Sequence, residues 1–109
     1  MEIKMKGKVK NGRYVDKDKN AFWYKDGLFH REDGPAIEWA DGSKAWYLNG
    51  QKHRIDGPAV EWADGHKQWF LNGVEYSKEE FNQWLEKYQL NKKLEATLEE
   101  KPSVKKVKI

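Results

Sequence analysis

The phrase HREDGPAIEWADGSKAWYLNG, residues 30–50, returns 23 residues later as HRIDGPAVEWADGHKQWFLNG, residues 53–73. A chain that repeats itself at a fixed period of this size folds as stacked copies of one supersecondary unit. A third, shorter copy shows once the period is applied. Trp23, Trp46 and Trp69 fall in step, as do Asp26-Gly27, Asn49-Gly50 and Asn72-Gly73. His30 matches His53, with Tyr76 in the third place. Asp33-Gly34-Pro35-Ala36 matches Asp56-Gly57-Pro58-Ala59, Trp39 matches Trp62, and Asp41-Gly42 matches Asp64-Gly65.

Each unit carries two hairpin signals. Asn-Gly and Asp-Gly between alternating strands predict two-residue type I′ loops, in which both central residues take positive φ. With Asp41-Gly42 as such a loop, Glu38 faces Ala45 and Ile37 faces Trp46. Directly opposed residues share a face. This register places Ile37, Trp39, Trp46 and Leu48 on one side, and Ala36, Glu38, Ala45 and Tyr47 on the other. The second copy divides the same way, with Val60, Trp62, Trp69 and Leu71 against Ala59, Glu61, Gln68 and Phe70. The tryptophan side is the predicted core, and a one-residue slip would undo it. Pro35 and Pro58 lack a backbone donor, so the Asp-Gly-Pro stretches read as bends. His30 and His53 are expected beside the tryptophan rows.

The ends read differently. EIKMKGKVK, residues 2–10, alternates aliphatic residues with lysines, the pattern of a protected edge strand. Ser77 with Glu80 forms a capping box. Phe81, Trp84, Leu85 and Tyr88 then follow at helical spacing, and Leu94 and Leu98 are in phase with each other. The expectation is a single domain over residues 1–100: N-terminal strands over 1–19, repeats over 20–76, a capping helix over 77–100. A basic tail follows over 101–109. The fold class is mainly β, an elongated antiparallel sheet of 23-residue hairpin repeats closed by a C-terminal helix.

Composition narrows the chemistry. With 36% charged residues the chain would read as partly disordered, but six Trp, five Tyr and four Phe supply a thin aromatic core. The absence of cysteine excludes disulfides, thiolate metal sites and a cysteine nucleophile. The N-terminus has no apolar run and no stretch of the chain is apolar enough to span a bilayer, so the expected location is the cytoplasm. The net charge of +3 resides in the ends: residues 1–19 carry +4, residues 77–109 carry +2, and the repeated body carries −3. A nucleic-acid-binding sheet carries its positive charge on its own surface, and this one does not.

No catalytic set emerges. His30 and His53 stand one repeat apart, about 10 Å, too far to share an ion, and His66 adjoins a turn. Glu38 with Glu61, and Asp41 with Asp64, are repeat-mates on an open sheet with no enclosure to shift a pKa. Ser43 and Ser77 sit at turn and cap positions. No cofactor or metal is expected. The most suggestive feature is the row of repeat-mates Tyr24, Tyr47 and Phe70, flanked by Glu38 and Glu61: an aromatic, acidic strip suited to a protein partner. The other reading of that row is a second core layer under residues 78–100. A further alternative is binding of nucleic acid or an anionic surface through the basic N-terminal strand and Lys101, Lys105, Lys106 and Lys108 of the tail.

Trp-x-x-Asn-Gly, then His and a Gly, then a strand ending in Ala-Asp-Gly resembles the MORN repeat, a β-hairpin unit of the same period. The HRxDGPA stretches resemble more closely a variant found in small bacterial and phage proteins. The matching residues are Trp46 to Gly65 and Trp69 to Gly73, with a degenerate start at Trp23, so the resemblance covers about residues 20–76. It implies an elongated twisted sheet and an interaction role without catalytic residues, such as a phage-encoded inhibitor or modulator acting on a host protein in the host cytoplasm.

Overall fold

The computed structural model describes residues 11–100, with side chains for residues 11–97. The expected lysine-faced strand over residues 2–10 and the basic tail over residues 101–109 lie outside the described residues. What is described is mainly β and elongated, 67 × 33 × 19 Å, with one helix at its C-terminal end.

Ten short strands run in order: β1 (Gly12–Val15), β2 (Ala21–Lys25), β3 (Leu28–Phe29), β4 (Ile37–Glu38), β5 (Lys44–Ala45), β6 (Tyr47–Leu48), β7 (Gln51–Lys52), β8 (Val60–Glu61), β9 (Lys67–Leu71) and β10 (Val74–Tyr76). The main antiparallel sheet has the order β1-β2-β4-β5-β8-β9-β10, with β3 paired to β2, and β6 with β7 forms a separate hairpin. The Asn49-Gly50 hairpin, β6 with β7, thus stands beside the sheet, while the Asp26-Gly27 and Asn72-Gly73 hairpins, β2 with β3 and β9 with β10, belong to it.

The two kinds of turn take different forms. At Asn49-Gly50 and Asn72-Gly73 both residues have positive φ, 50° with 84° in each pair, and Asp26-Gly27 does the same at 52° and 80°. These are the expected two-residue loops. At Asp41-Gly42 and Asp64-Gly65 only the glycine is left-handed, at 97° and 100°. There the Gly42 N–H donates to the Trp39 carbonyl at 3.0 Å and the Trp39 N–H to the Ser43 carbonyl at 2.9 Å; Gly65, Trp62 and His66 repeat the pattern. The loop therefore has three residues, Ala40-Asp41-Gly42, a type I turn ending in a left-handed glycine.

One added loop residue shifts the register by one. Ile37 faces Ala45 and Glu38 faces Lys44, not Trp46 and Ala45 as a two-residue loop requires. The expected faces are corrected accordingly. Phe22, Ile37, Ala45, Val60 and Gln68 align across the sheet on one side, while Ala21, Glu38, Lys44, Glu61 and Lys67 align on the other. The second row alternates in sign from Glu38 to Lys67, an arrangement that favours the pairing across strands.

The core is small. Ile37, Ala45, Ala59, Val60 and Phe70 form its buried cluster, with Phe22, Phe29, Trp39, Trp46 and Tyr47 packed against it half-buried. The tryptophans do not form one buried face: Trp62 is 42% exposed, stacked on Trp39 with ring centroids 5.6 Å apart.

Helix α1 spans Lys78–Glu100. The Ser77 capping box forms as the sequence predicts: the Glu80 N–H donates to Ser77 Oγ at 3.0 Å, and the Ser77 N–H to Glu80 Oε1 at 2.9 Å. The helix rests on β9 and β10. Phe81, 2% exposed, is its anchor, followed by the ring stack Phe81–Trp84–Tyr88. Beyond Tyr88 every described side chain is exposed, Leu90 and Leu94 included.

Candidate functional site

Two surfaces follow from the corrected register, and the predicted strip divides between them. Tyr24 and Tyr47 lie on the Phe22–Ile37 side. Tyr24 meets Phe29 at a ring-centroid distance of 5.2 Å, Phe29 meets Tyr47 at 5.2 Å, Phe22 lies 6.0 Å from Phe29, and Tyr14 stacks on Phe22 at 6.4 Å. These five rings form a continuous band across β1, β2, β3 and β6. Burial raises the phenol pKa of Tyr47, and burial followed by the neighbouring Tyr14 raises that of Tyr24. Phe70 is not an exposed member of this row: it is 8% exposed, inside the core cluster, with Lys52 Nζ 4.8 Å from its ring centre.

Glu38 and Glu61 face the opposite side of the sheet, where they serve an arginine. Arg54 stacks on Trp46 with its guanidinium carbon 3.7 Å from the ring centre. Its Nε donates to Asp56 Oδ1 at 2.9 Å, and its Nη1 to the Pro58 carbonyl at 3.0 Å and to Glu61 Oε2 at 3.1 Å. Arg31 repeats this one unit earlier: over Trp23 at 3.9 Å, to Asp33 at 3.1 Å, to the Pro35 carbonyl at 3.1 Å, and 3.5 Å from Glu38. A Cβ on Gly34 or Gly57 would stand 3.0 Å from the guanidinium carbon of Arg31 or Arg54. The Arg-x-Asp-Gly-Pro motif is therefore a lock that closes the bend onto the tryptophan of its own unit. The sequence reading missed the arginines. The available signal was that Arg31 and Arg54 repeat with Trp23 and Trp46, and that both the lock and the sheet strand end where Ser77 takes the arginine's place.

The histidines hold structural positions. His30 Nδ1 accepts the Asn49 N–H, and His53 Nδ1 accepts the Asn72 N–H, each at 2.9 Å, so each imidazole braces the following hairpin turn. His66 is exposed and bonded to Asp64. Asp41 and Asp64 accept the backbone N–H of Ser43 and His66, which holds both carboxyls below their ordinary value. Ser43 is 2% exposed, and its Oγ accepts the Ala63 N–H of the next unit at 2.8 Å. The repeat-mate of that contact is Asn20 Oδ1 accepting the Ala40 N–H at 2.7 Å. His30, His53, Asp41, Asp64, Ser43 and Asn20 are thus accounted for by turns and by unit-to-unit bonds. Among the described residues no group of three or more His, Asp or Glu is placed to hold a metal ion, and no helix is long and apolar enough to cross a membrane. Lys101, Lys105, Lys106 and Lys108 lie outside the described residues.

On the arginine side a groove of about 620 Å³ runs between the bend of one unit, Arg31 to Gly34, and the bend of the next, His53 to Asp56, with Trp46 and Leu48 as its floor.

Comparison with protein families, with curated proteins and with solved structures finds no match for this chain.

Proposed function

We propose that this protein is a non-enzymatic protein-interaction module that acts in the cytoplasm and binds a partner protein through the aromatic band of Tyr14, Phe22, Tyr24, Phe29 and Tyr47. Its kinship with MORN hairpins belongs to the same proposal. The observation that carries the reading is the band's position. It begins at β1, the outermost strand at one end of the sheet among the described residues, whereas α1 rests on β9 and β10 at the other end. Tyr14 is 46% exposed and the next four rings are half-buried or less only by packing on one another and on the core. Large aromatic side chains in a contiguous row are the usual anchors of protein interfaces, each worth about 2 kcal/mol or more where it is a hot spot.

The test is capture of partners from extracts of the native host by the tagged full chain. Tyr24→Ser combined with Tyr47→Ser is expected to abolish specific capture while thermal unfolding stays cooperative. A folded double variant that retains the wild-type partners would overturn the reading.

A further inference from the structure

The groove on the other face is built by the repeat itself and has a charge pattern the aromatic band lacks. Both arginines beside it are turned inward, their side chains 24% and 22% exposed, each flat on a tryptophan and bonded to two carboxylates or a carboxylate and a close neighbour. The acids stand outward. Asp33, Asp56 and Glu32 have side-chain exposures of 88%, 79% and 79%. Asp33 and Asp56 each give only Oδ1 to an arginine, which leaves the second oxygen free for another donor. Among the residues that line the groove, the three carboxylates of Glu32, Asp33 and Asp56 meet the two guanidiniums of Arg31 and Arg54, while Glu38 and Glu61 lie outside it, paired across the strands with Lys44 and Lys67. An arriving chain therefore meets outward carboxylates over Leu48 and Trp46, whose ring carries the Arg54 guanidinium on one face, with Ile55, 37% exposed, on one wall.

We propose that this groove docks a basic–aliphatic segment of a partner protein, with a cation at every third residue. The spacing comes from the architecture. Repeat-mates such as Asp33 and Asp56 are two strand steps apart, about 9.6 Å. A polyproline II segment has three residues per turn and advances about 9.3 Å in that turn. Lysines or arginines three apart on such a segment fall in step with the two carboxylate sites, while the residues between them cover Trp46, Leu48 and Ile55. Spacings of two or four residues fall out of step. This surface is separate from the aromatic band and does not depend on the band's function.

The experiment is titration of the full chain with a synthetic peptide of Lys-Val-Pro triplets, against a peptide of the same composition with its lysines grouped at one end. The triplet peptide is expected to bind more tightly, and Glu32→Lys to weaken it by about fivefold, a factor within reach of a surface ion pair. Glu32 lies outside the arginine locks, and its one described ion-pair contact, 3.5 Å to His30 Nε2, is on a side chain 79% exposed, so this variant is expected to unfold cooperatively within a few degrees of wild type. Tyr24→Ser with Tyr47→Ser is expected to leave peptide binding unchanged. Equal affinity for the two peptides, or wild-type affinity in Glu32→Lys, overturns the proposal. Self-association of the chain that Glu32→Lys abolishes, with no binding of the triplet peptide, assigns the groove to a second copy and also overturns it.

Discussion

At the scale of single residues, the repeated motif is a set of hydrogen-bond solutions to one problem: a thin sheet must satisfy its bends without burying them in a large core. Arg31 and Arg54 solve it by stacking and by donating to a carbonyl and to carboxylates at once, a geometry a lysine cannot reproduce. His53 solves it as an acceptor, and this has a pH consequence. Burial holds its imidazole below the ordinary value of 6.5. In the interval between the folded and the ordinary value the unfolded chain binds more protons than the folded one, so stability rises with pH there. The contribution of His53 is complete above about pH 6.5 and is lost as pH falls through the lower folded value. Protonation also converts Nδ1 into a donor and removes the partner of the Asn72 N–H, worth about 1 kcal/mol. Urea titrations across this range are expected to show His53→Gln with a flatter acid limb than wild type. An unchanged limb would place the acid sensitivity elsewhere.

At the scale of elements, the helix has two halves with different roles. Its first turns anchor the end of the sheet through Phe81, while the part after Tyr88 has no described buried side chain. Phe81→Ala is expected to cost about 3–5 kcal/mol, as for a fully buried aromatic. Leu94→Ala, on a face 52% exposed, is expected to change stability by about 0.5 kcal/mol or less. Chemical denaturation of the two variants checks this directly, and similar losses from both would mean that the outer half of α1 is packed. The hairpins show the same dependence on local detail. Asn-Gly loops are left-handed at both residues, but Asp41 and Asp64 use their carboxylates to accept an N–H two residues on, which holds them in a type I turn. The outward amide this leaves at Ala40 and Ala63 is taken up by Asn20 and Ser43 of the unit before.

At the scale of the whole molecule, these unit-to-unit bonds make the protein a short array. Arg31 and Arg54 donate their backbone N–H to Tyr47 and Phe70 of the following unit, so each unit is hydrogen-bonded to its successor as it is within itself. Stability of such arrays is approximately a sum of unit and interface contributions. Excision of residues 30–52, one full period, joins Phe29 to His53 and preserves every repeat relation. The shortened chain is expected to fold cooperatively, with lower stability and a smaller denaturant slope because less surface is exposed on unfolding. Excision of residues 30–51 breaks the period by one and is expected to leave no cooperative transition. Two excisions with the same melting behaviour would contradict an array.

The period, the hairpin positions, the capping box and the elongated β architecture were legible in the sequence, because each depends on residues close in the chain: Asn-Gly pairs, Gly-Pro bends, and Ser77 with Glu80. The faces were not legible. The three-residue loop at Asp41-Gly42 is held both by the Asp41 carboxylate accepting the Ser43 N–H and by Asn20, in the preceding unit, accepting the Ala40 N–H, and the second contact is not visible in local pattern. Because side chains alternate with a period of two, the one added loop residue decided which side of the sheet Trp46 and Tyr47 occupy. It separated Glu38 and Glu61 from the tyrosines and placed Trp23 and Trp46 under the arginines. Local pattern determined that the chain would pleat and where it would turn; contacts between units decided which face each aromatic presents.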